Sequence, residues 1–193
     1  MLGKITVKSL FAGFAAAATV GVLAIPAPAA AQDVNAMVQS CAGCHGQNGV
    51  PADPKGTPVI WGQTEAYIVK QLHNYKTGDR KNPLMEAIVK NIKVEDMRPI
   101  ARYFAGKTWP ENQAKNASAT EPAGMTVCKT CHQPNFQGAL PGPRLAGLSY
   151  EYLIGQMQQF VDGRRTNNED MPKVLHDISE NDRQAMAHYL AAL

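Results

Sequence analysis

All four cysteines of this 193-residue chain occur in two copies of one five-residue pattern. Cys41-Ala42-Gly43-Cys44-His45 and Cys128-Lys129-Thr130-Cys131-His132 each place two thiols on one helical turn and end in a histidine. Both thiols of such a pair can form thioethers to the vinyl groups of one haem, and the next residue then lies under the iron. The pattern therefore predicts two covalently bound haem c groups. The predicted attachment residues are Cys41, Cys44, Cys128 and Cys131, and the predicted proximal iron ligands are His45 and His132.

Three other uses of paired cysteines fit this pattern less well. An exported chain normally oxidises four cysteines to two disulfides, but disulfides do not require a histidine beside each pair. A thioredoxin-like redox pair would follow a strand in a βαβ unit, and it would not need the histidine either. A zinc site built from four cysteines would leave both histidines unexplained. Two identical patterns that together use every cysteine favour haem attachment.

The first 31 residues are typical of a secretory signal peptide. Lys4 and Lys8 form a cationic start, residues 10–25 are apolar and rich in alanine, and residues 29–31 are three alanines before Gln32. The apolar stretch of 16 residues is shorter than the roughly 20 that a transmembrane helix needs. We therefore expect an exported protein, with membrane attachment only if this segment is retained as an anchor.

Composition and charge exclude several classes of protein. With 45% hydrophobic and 18% charged residues, the chain fits neither a disordered polyelectrolyte nor a membrane channel. Nineteen Lys and Arg against sixteen Asp and Glu leave a net charge of +3, without the strong basic stripe of a nucleic-acid binder. We expect redox proteins rather than DNA or RNA as partners.

The two halves of the chain repeat one another. The cysteine patterns start 87 residues apart. The residues Pro58, Gly62, Gln71, Gly78 and Arg80 recur 85 positions later as Pro143, Gly147, Gln156, Gly163 and Arg165, and Met85 and Tyr103 recur 86 positions later as Met171 and Tyr189. Such a repeat indicates two copies of one unit. It predicts domains at 32–106 and 123–193, joined by a surface linker at 107–122.

Each half shows the pattern of amphipathic helices, and signals for strands are nearly absent. Thr64 and Ser149 are matched candidates for helix N-caps, and Gly78 and Gly163 are matched candidates for helix ends. In the last predicted helix of the first half, Pro99 should remove a backbone hydrogen bond and bend the helix. The sequence therefore predicts an all-α fold in which each small domain is wrapped around its haem.

The sixth ligand of each iron decides what the haem does, since an open position binds oxygen or peroxide and a closed one favours electron transfer. Equivalent domains should draw this ligand from equivalent positions. Three histidines have no matching ligand in the other half, namely His73, His176 and His188. Three methionines belong to predicted helices and are expected to pack there, namely Met97, Met157 and Met186. Two more, Met37 and Met125, are too close to the cysteines to reach the far side of the haem. Met85 and Met171 remain, 40 and 39 residues after the histidines, in a loop before each last helix. They are the predicted distal ligands.

Two further pairs of repeated residues have alternative interpretations. A carbonyl near Pro58 and Pro143 could accept the free ring N–H of each proximal histidine, or proline could merely stiffen the loop. Arg80 and Arg165 could pair with the haem propionates, or they could be solvated like most long cationic side chains.

The chain resembles the class I c-type cytochromes and, among them, the dihaem cytochrome c4 family. The resemblance covers most of 33–193 and rests on the two attachment patterns, the Met85 and Met171 segments and two shared stretches, from Trp61-Gly62-Gln63 to Gln71-Leu72 and Gly163-Arg164-Arg165-Thr166-Asn167. It implies two fused cytochrome c domains with His/Met-ligated haems that carry electrons in the bacterial periplasm, often toward terminal oxidases.

The leading expectation is a dihaem electron carrier of a respiratory chain, with no catalytic residues of its own. The alternative is the electron-relay subunit of a periplasmic dehydrogenase, such as a flavocytochrome c sulfide dehydrogenase or a sulfite, thiosulfate or alcohol oxidising system. An autonomous haem enzyme fits less well, because a peroxidase needs an open iron. A haem ligated by cysteine would require a fifth cysteine, and the chain has four.

Overall fold

The computed structural model describes Gly3 and residues 33–111, 120–140 and 142–193. Apart from Gly3, the predicted signal peptide lies outside these residues, as does the middle of the predicted linker, 112–119. The helices, in chain order, are α1 (Val34–His45), α2 (Glu65–Thr77), α3 (Pro83–Val89), α4 (Val94–Ala105), α5 (Met125–His132), α6 (Tyr150–Val161), α7 (Asp170–His176) and α8 (Glu180–Ala192). Within the described ranges the only β pairing is an isolated bridge between Ala139 and Gly142, so the predicted all-α fold is confirmed. No helix in those ranges is long and apolar enough to cross a bilayer.

The helices follow the sequence repeat. α1 to α4 belong to the first half, residues 33–106, and α5 to α8 belong to the second half, residues 123–193. Ser149 caps α6 as predicted, because its hydroxyl accepts a hydrogen bond from the Tyr152 N–H at 3.2 Å. Thr64 occupies the N-cap position of α2 but forms no side-chain cap, and its N–H donates instead to the Gln63 side chain at 2.9 Å. Gly78 ends α2 in the left-handed conformation that glycine favours.

Each half has its own hydrophobic cluster. In the first half, Val38 of α1 packs with Met97 and Phe104 of α4, all about 1% exposed. In the second half, Phe136 packs with Leu153 of α6 and with Leu190 of α8. The described residues from Asp33 onward nevertheless belong to one compact unit, so the two halves pack against each other. The domain boundaries at 32–106 and 123–193 stay a prediction.

Two matched glycines hold the loop of each half against its last helix. The N–H of Gly62 donates to the Phe104 carbonyl, and the N–H of Gly147 donates to the Leu190 carbonyl, both at 2.9 Å. Both glycines have positive φ, 68° and 80°, which other residues adopt at a cost. A methyl group at Gly147 would also lie 2.8 Å from the indole nitrogen of Trp109.

Part of the predicted surface linker is packed rather than solvated. Trp109 is half-buried and contacts the hydrophobic cluster of the second half, and the Arg144 guanidinium lies 4.1 Å from the centre of its ring. The expectation of a surface linker considered only the polar composition of 107–122, whereas a large aromatic side chain gains by covering apolar surface. Trp109 thus attaches the segment that follows α4 to the second half.

Candidate haem-binding sites

The two predicted proximal histidines have the same surroundings. His45 ends α1 and His132 ends α5, and both side chains are buried. The Nδ1 atom of His45 lies 2.8 Å from the Pro58 carbonyl oxygen, and the Nδ1 atom of His132 lies 2.8 Å from the Pro143 carbonyl oxygen. Because a carbonyl can only accept a hydrogen bond, each Nδ1 carries the proton and each Nε2 keeps its lone pair. These prolines therefore do more than stiffen a loop, since their carbonyls orient the histidines.

Burial lowers the pKa of both histidines, although the carbonyl hydrogen bond opposes that shift. The neutral imidazole is the form that binds a metal through its free nitrogen. The loop beside His132 approaches so closely that a methyl group at Gly142 would collide with the Cys131 carbonyl oxygen and lie 3.1 Å from the His132 Nδ1. Gly142 is therefore required for this loop to reach the histidine.

The four cysteines share one pattern of exposure in the two halves. In each pair the first cysteine, Cys41 or Cys128, is half-buried and the second, Cys44 or Cys131, is exposed. Burial raises the pKa of the Cys41 and Cys128 thiols. Both halves therefore have one thiol turned toward the protein interior and one at the surface. The surface thiol directly precedes the histidine that ends the same helix.

One cavity of about 270 Å³ connects the candidate ligands of the two halves. Six of the eight predicted site residues line its wall, namely Cys41, Cys44, His45, Met85, His132 and Met171. Cys128 and Cys131 do not line it, but they lie on α5 within the turn that ends at His132. The structure thus brings the predicted ligands of both halves to the same interior surface.

The two predicted distal ligands lie in short helices, not in the loops expected from the sequence. Met85 is in the first turn of α3 and Met171 is in the first turn of α7. The Met85 N–H donates to the Asn82 side chain at 3.0 Å, and the Met171 N–H donates to the Asn168 side chain at 2.9 Å. An asparagine that satisfies such free N–H groups allows a helix to begin in a segment too short to show helical periodicity.

The methionines and histidines that were not chosen as iron ligands pack in the hydrophobic clusters or lie at the surface. Met97, Met125 and Met186 are buried in the two hydrophobic clusters, and Met157 is buried in α6 although it also touches the cavity. The remaining histidines, His73, His176 and His188, are exposed. Among the described residues, Met85 and Met171 are therefore the matched pair of potential iron ligands on the cavity wall.

A polar network between the two halves was not anticipated. Arg80 of the first half donates to Gln71 of its own half at 2.7 Å, and across the interface to Tyr152 at 3.1 Å and Gln156 at 2.7 Å. The sequence contained a signal for this network, because the arginines and glutamines repeat and Tyr152 lies 85 residues after Tyr67.

Arg165 of the second half mirrors Arg80. It donates to Gln156 of its own half at 2.7 Å, and across the interface to Tyr67 at 3.2 Å and Gln71 at 3.4 Å. Burial raises the pKa of Tyr67, but the charges of the two arginines outweigh that effect and leave this pKa below its ordinary value. The centre of the interface is therefore electrostatically positive.

The two arginines are only 5% exposed, which contradicts the interpretation that they are solvated. In the described ranges, no carboxylate lies within ion-pairing distance of Arg80 or Arg165. Buried cations are costly unless a negative group compensates them. Both arginines line the cavity, so the cavity suits a ligand that carries carboxylates, as haem does with its propionates. The histidine tautomers, the paired cysteines beside them and these cations together fit haem c.

Comparison with known proteins agrees with this geometry. The family model for cytochrome c matches residues 121–193. The chain is 33% identical to cytochrome c4 of Pseudomonas aeruginosa over 168 residues, which covers 79% of this chain and 83% of the relative. It is 30% identical to a thiosulfate dehydrogenase electron acceptor of Stutzerimonas stutzeri, covering 81% of this chain and 80% of that one. The crystal structure of reduced recombinant cytochrome c4 from Pseudomonas stutzeri superposes with a TM-score of 0.72 at 28% identity, over 84% of this chain and all of that one.

Proposed function

The chain belongs to the dihaem cytochrome c4 family, and from this premise we propose that it is a periplasmic carrier that passes single electrons between redox proteins. It is an electron-transfer cytochrome of two class I cytochrome c units with two covalently bound haem c groups. The proposal adds the compartment, the His/Met ligation of both irons and the role as a mobile carrier.

One observation carries the proposal, namely that each half supplies a matched histidine and methionine to a common cavity wall. His45 and Met85 do so in the first half, and His132 and Met171 do so in the second. A haem iron held by both a histidine nitrogen and a methionine thioether would favour electron transfer over oxygen or peroxide chemistry, because it would have no position left for a substrate. The thioether also favours ferrous iron and raises the reduction potential.

The protein contributes by holding its ligands in one arrangement through both oxidation states. Haem c supplies the one-electron iron couple. The cysteine pairs tether each group at the end of α1 and of α5, and the Pro58 and Pro143 carbonyls keep each histidine in one tautomer and orientation. Asn82 and Asn168 fix the helix turns that carry the methionines. A fixed ligand set has little to rearrange when an electron arrives or leaves.

The two buried arginines are proposed to bind the carboxylates of the haems. Arg80 and Arg165 each form hydrogen bonds to glutamine and tyrosine side chains of both halves. These neutral partners orient the guanidinium groups without cancelling their charge, so the positive charge stays available to a ligand. Binding of propionates there would connect the charge state of one site to the electrostatic environment of the other.

Periplasmic location is proposed from the N-terminal residues 1–31, whose cationic start, apolar stretch and small residues are typical of a cleaved leader. In that compartment the carrier would serve a respiratory chain, with a terminal oxidase as one possible acceptor.

A second candidate function is the electron-relay partner or subunit of a periplasmic dehydrogenase. The similarity to a thiosulfate dehydrogenase electron acceptor favours it, at 30% identity over most of both chains. Sulfide, sulfite and alcohol dehydrogenases with a cytochrome subunit are further cases of the same arrangement. Both functions need the same closed haems, so the two differ in the partner. Copurification with a flavoprotein or molybdoprotein would favour the dehydrogenase.

The purified holoprotein tests the proposal directly. The haem content, measured against protein concentration, should be two per chain, and dithionite titration should deliver one electron to each haem. Both haems should be low-spin when oxidised and when reduced, and neither should bind carbon monoxide. A high-spin haem that binds carbon monoxide readily would contradict the proposed ligation at that site, and peroxide turnover at enzymatic rates would contradict the role as a carrier.

A further inference from the structure

The mouth of the cavity in the first half carries an exposed apolar surface. Leu84 and Ile88 lie one turn apart on α3, line the cavity and are still 60% and 36% exposed. The Lys76 ammonium holds the end of this helix, because it donates to the Lys90 and Ile92 carbonyls at 3.0 and 2.7 Å. The apolar face of α3 is thus fixed in place at the opening. Exposed apolar side chains beside a functional opening mark sites of protein contact.

Two lysines line the cavity mouth together with this apolar surface. Lys70 of α2 and Lys81, just before α3, both line the cavity mouth, and both are exposed. Among the described residues, neither lysine lies within 4.0 Å of a carboxylate. The Asp79 carboxylate accepts a hydrogen bond from Thr77, and the Glu86 carboxylate accepts one from the Asn82 N–H, so both nearby acids are engaged locally.

The equivalent surface of the second half has the opposite character. Asp170 occupies the position of Leu84 and pairs with Lys173 at 3.7 Å. Arg164 pairs with Asp162 at 2.7 Å. Each cation of this surface is therefore neutralised by its neighbour in the chain.

The charge counts of the two segments confirm this difference. Residues 70–93 contain six Lys and Arg against two Asp and Glu, whereas the equivalent residues 155–178 contain three against four. The two sites arose from one repeated unit with the same candidate ligands. The candidate ligands are the same in the two halves, whereas the charges of the outer surfaces differ. This difference indicates that the two surfaces bind different partners or that only one of them binds a partner.

We propose that an acidic electron-transfer protein docks on the first half, over the α3 surface formed by Leu84, Ile88, Lys70 and Lys81. Electrons enter or leave the chain there, and the second site exchanges electrons with the first. This inference rests on the proposed function and names its partner by chemistry. Complementary charge accelerates encounter and orients the partner, and a small apolar centre lets the two surfaces exclude water where the electron crosses.

Charge reversal in the holoprotein tests the docking surface. The variant Lys70→Glu/Lys81→Glu is compared with Arg164→Glu/Lys173→Glu, which changes the net charge by the same amount on the second half. The probe is plastocyanin, an acidic blue copper protein, and the measurement is the second-order rate constant of its reduction over a range of ionic strength. We expect the first variant to lose about tenfold or more in rate at low ionic strength, and the second to lose less than about twofold. The conservative variant Lys70→Arg/Lys81→Arg should retain the rate.

Equal losses of rate in the two charge-reversal variants would show that only net charge matters, and they would overturn the docking surface. A larger loss of rate in the Arg164→Glu/Lys173→Glu variant, or no loss in either variant, would overturn it as well. Unchanged visible spectra of the variants exclude damage to the haems. In each of these cases the proposed function would stand, because the wild-type protein would still exchange electrons with ferricyanide. Failure of the wild-type protein to react with ferricyanide would overturn the proposed function itself, and the docking proposal with it.

Discussion

Arg80 and Gln156 lie in opposite halves of the chain, and the Arg80 guanidinium donates a hydrogen bond to the Gln156 side-chain oxygen at 2.7 Å. The same oxygen accepts a second hydrogen bond from Arg165, also at 2.7 Å. One glutamine of the second half is therefore shared by the arginines of both halves. Because both cations are buried and line the cavity, a change at either one should affect both sites.

Replacing Arg80 with methionine should lower the midpoint potentials of both haems. Loss of a positive charge removes a group that opposes oxidation of the iron. Two unit charges about 10 Å apart at an effective dielectric constant of about 20 interact by about 1.7 kcal/mol, so a fall of tens of millivolts is expected. Spectroelectrochemical titration measures the effect.

Arg98→Met is the matched control for this experiment, because Arg98 is exposed on α4 and pairs with Glu65 at the surface. It should leave both potentials nearly unchanged. If Arg80→Met shifts neither potential, Arg80 does not act on the haems.

Replacing Met85 with leucine should change the first haem alone. Leucine keeps the volume of the side chain but has no thioether, so the iron loses its sulfur ligand. The midpoint potential should fall by on the order of 0.1 V or more, within the roughly 0.8 V that axial ligands control. The spectrum and the potential of the second haem should stay as they are, and Met171→Leu should give the converse result.

Met97→Leu makes the same chemical change at a buried packing position of α4. It should cost less than about 1.5 kcal/mol of stability and leave both spectra unaltered. An unchanged spectrum in Met85→Leu would remove Met85 from the ligand set.

Gln63→Ala should destabilise the contact between the halves. The Gln63 side chain is 4% exposed, accepts a hydrogen bond from the Arg144 N–H at 2.8 Å and donates to the Arg144 carbonyl at 3.0 Å. Truncation leaves these buried backbone groups without partners, at a cost of about 1–3 kcal/mol. Denaturant unfolding measures the loss, and Gln47→Ala, at an exposed position, should cost less than about 0.5 kcal/mol.

Two glycines of the second half should respond in opposite directions to alanine. Gly155 lies inside α6 and a methyl group there would meet no atom within 4 Å, so Gly155→Ala should stabilise the protein by about 0.5–1 kcal/mol. Gly147 has positive φ, and a methyl group there would meet Trp109, so Gly147→Ala should destabilise by about 1–3 kcal/mol. Thermal unfolding of both variants gives the comparison, and stabilisation by Gly147→Ala would contradict the close contact with Trp109.

The all-α fold and the two haem c groups could be predicted from the sequence, because they depend on residues that are close together in the chain. Cys41, Cys44 and His45 form a complete attachment motif within five positions, and the repeat supplies a second one. The repeat also selected Met85 and Met171, although it placed them in loops. Asn82 caps α3, and Asn168 accepts hydrogen bonds from the Asp170 and Met171 N–H groups at the start of α7. Each of these helices has only seven residues, which produces too little periodicity to be recognised.

Only the tertiary structure decided which residues of the two halves meet. Arg80 lies 76 positions before Gln156, and Gln63 lies 81 positions before Arg144. No local pattern reports such distant contacts, since they depend on how two helical units pack after each has formed. The repeat identified Arg80 and Arg165 as matched residues. Only the structure shows that both are buried and that each donates hydrogen bonds to side chains of the other half, which distinguishes them from solvated cations. The chemistry of the sites is thus encoded within short stretches of sequence, whereas the connection between the sites arises from packing.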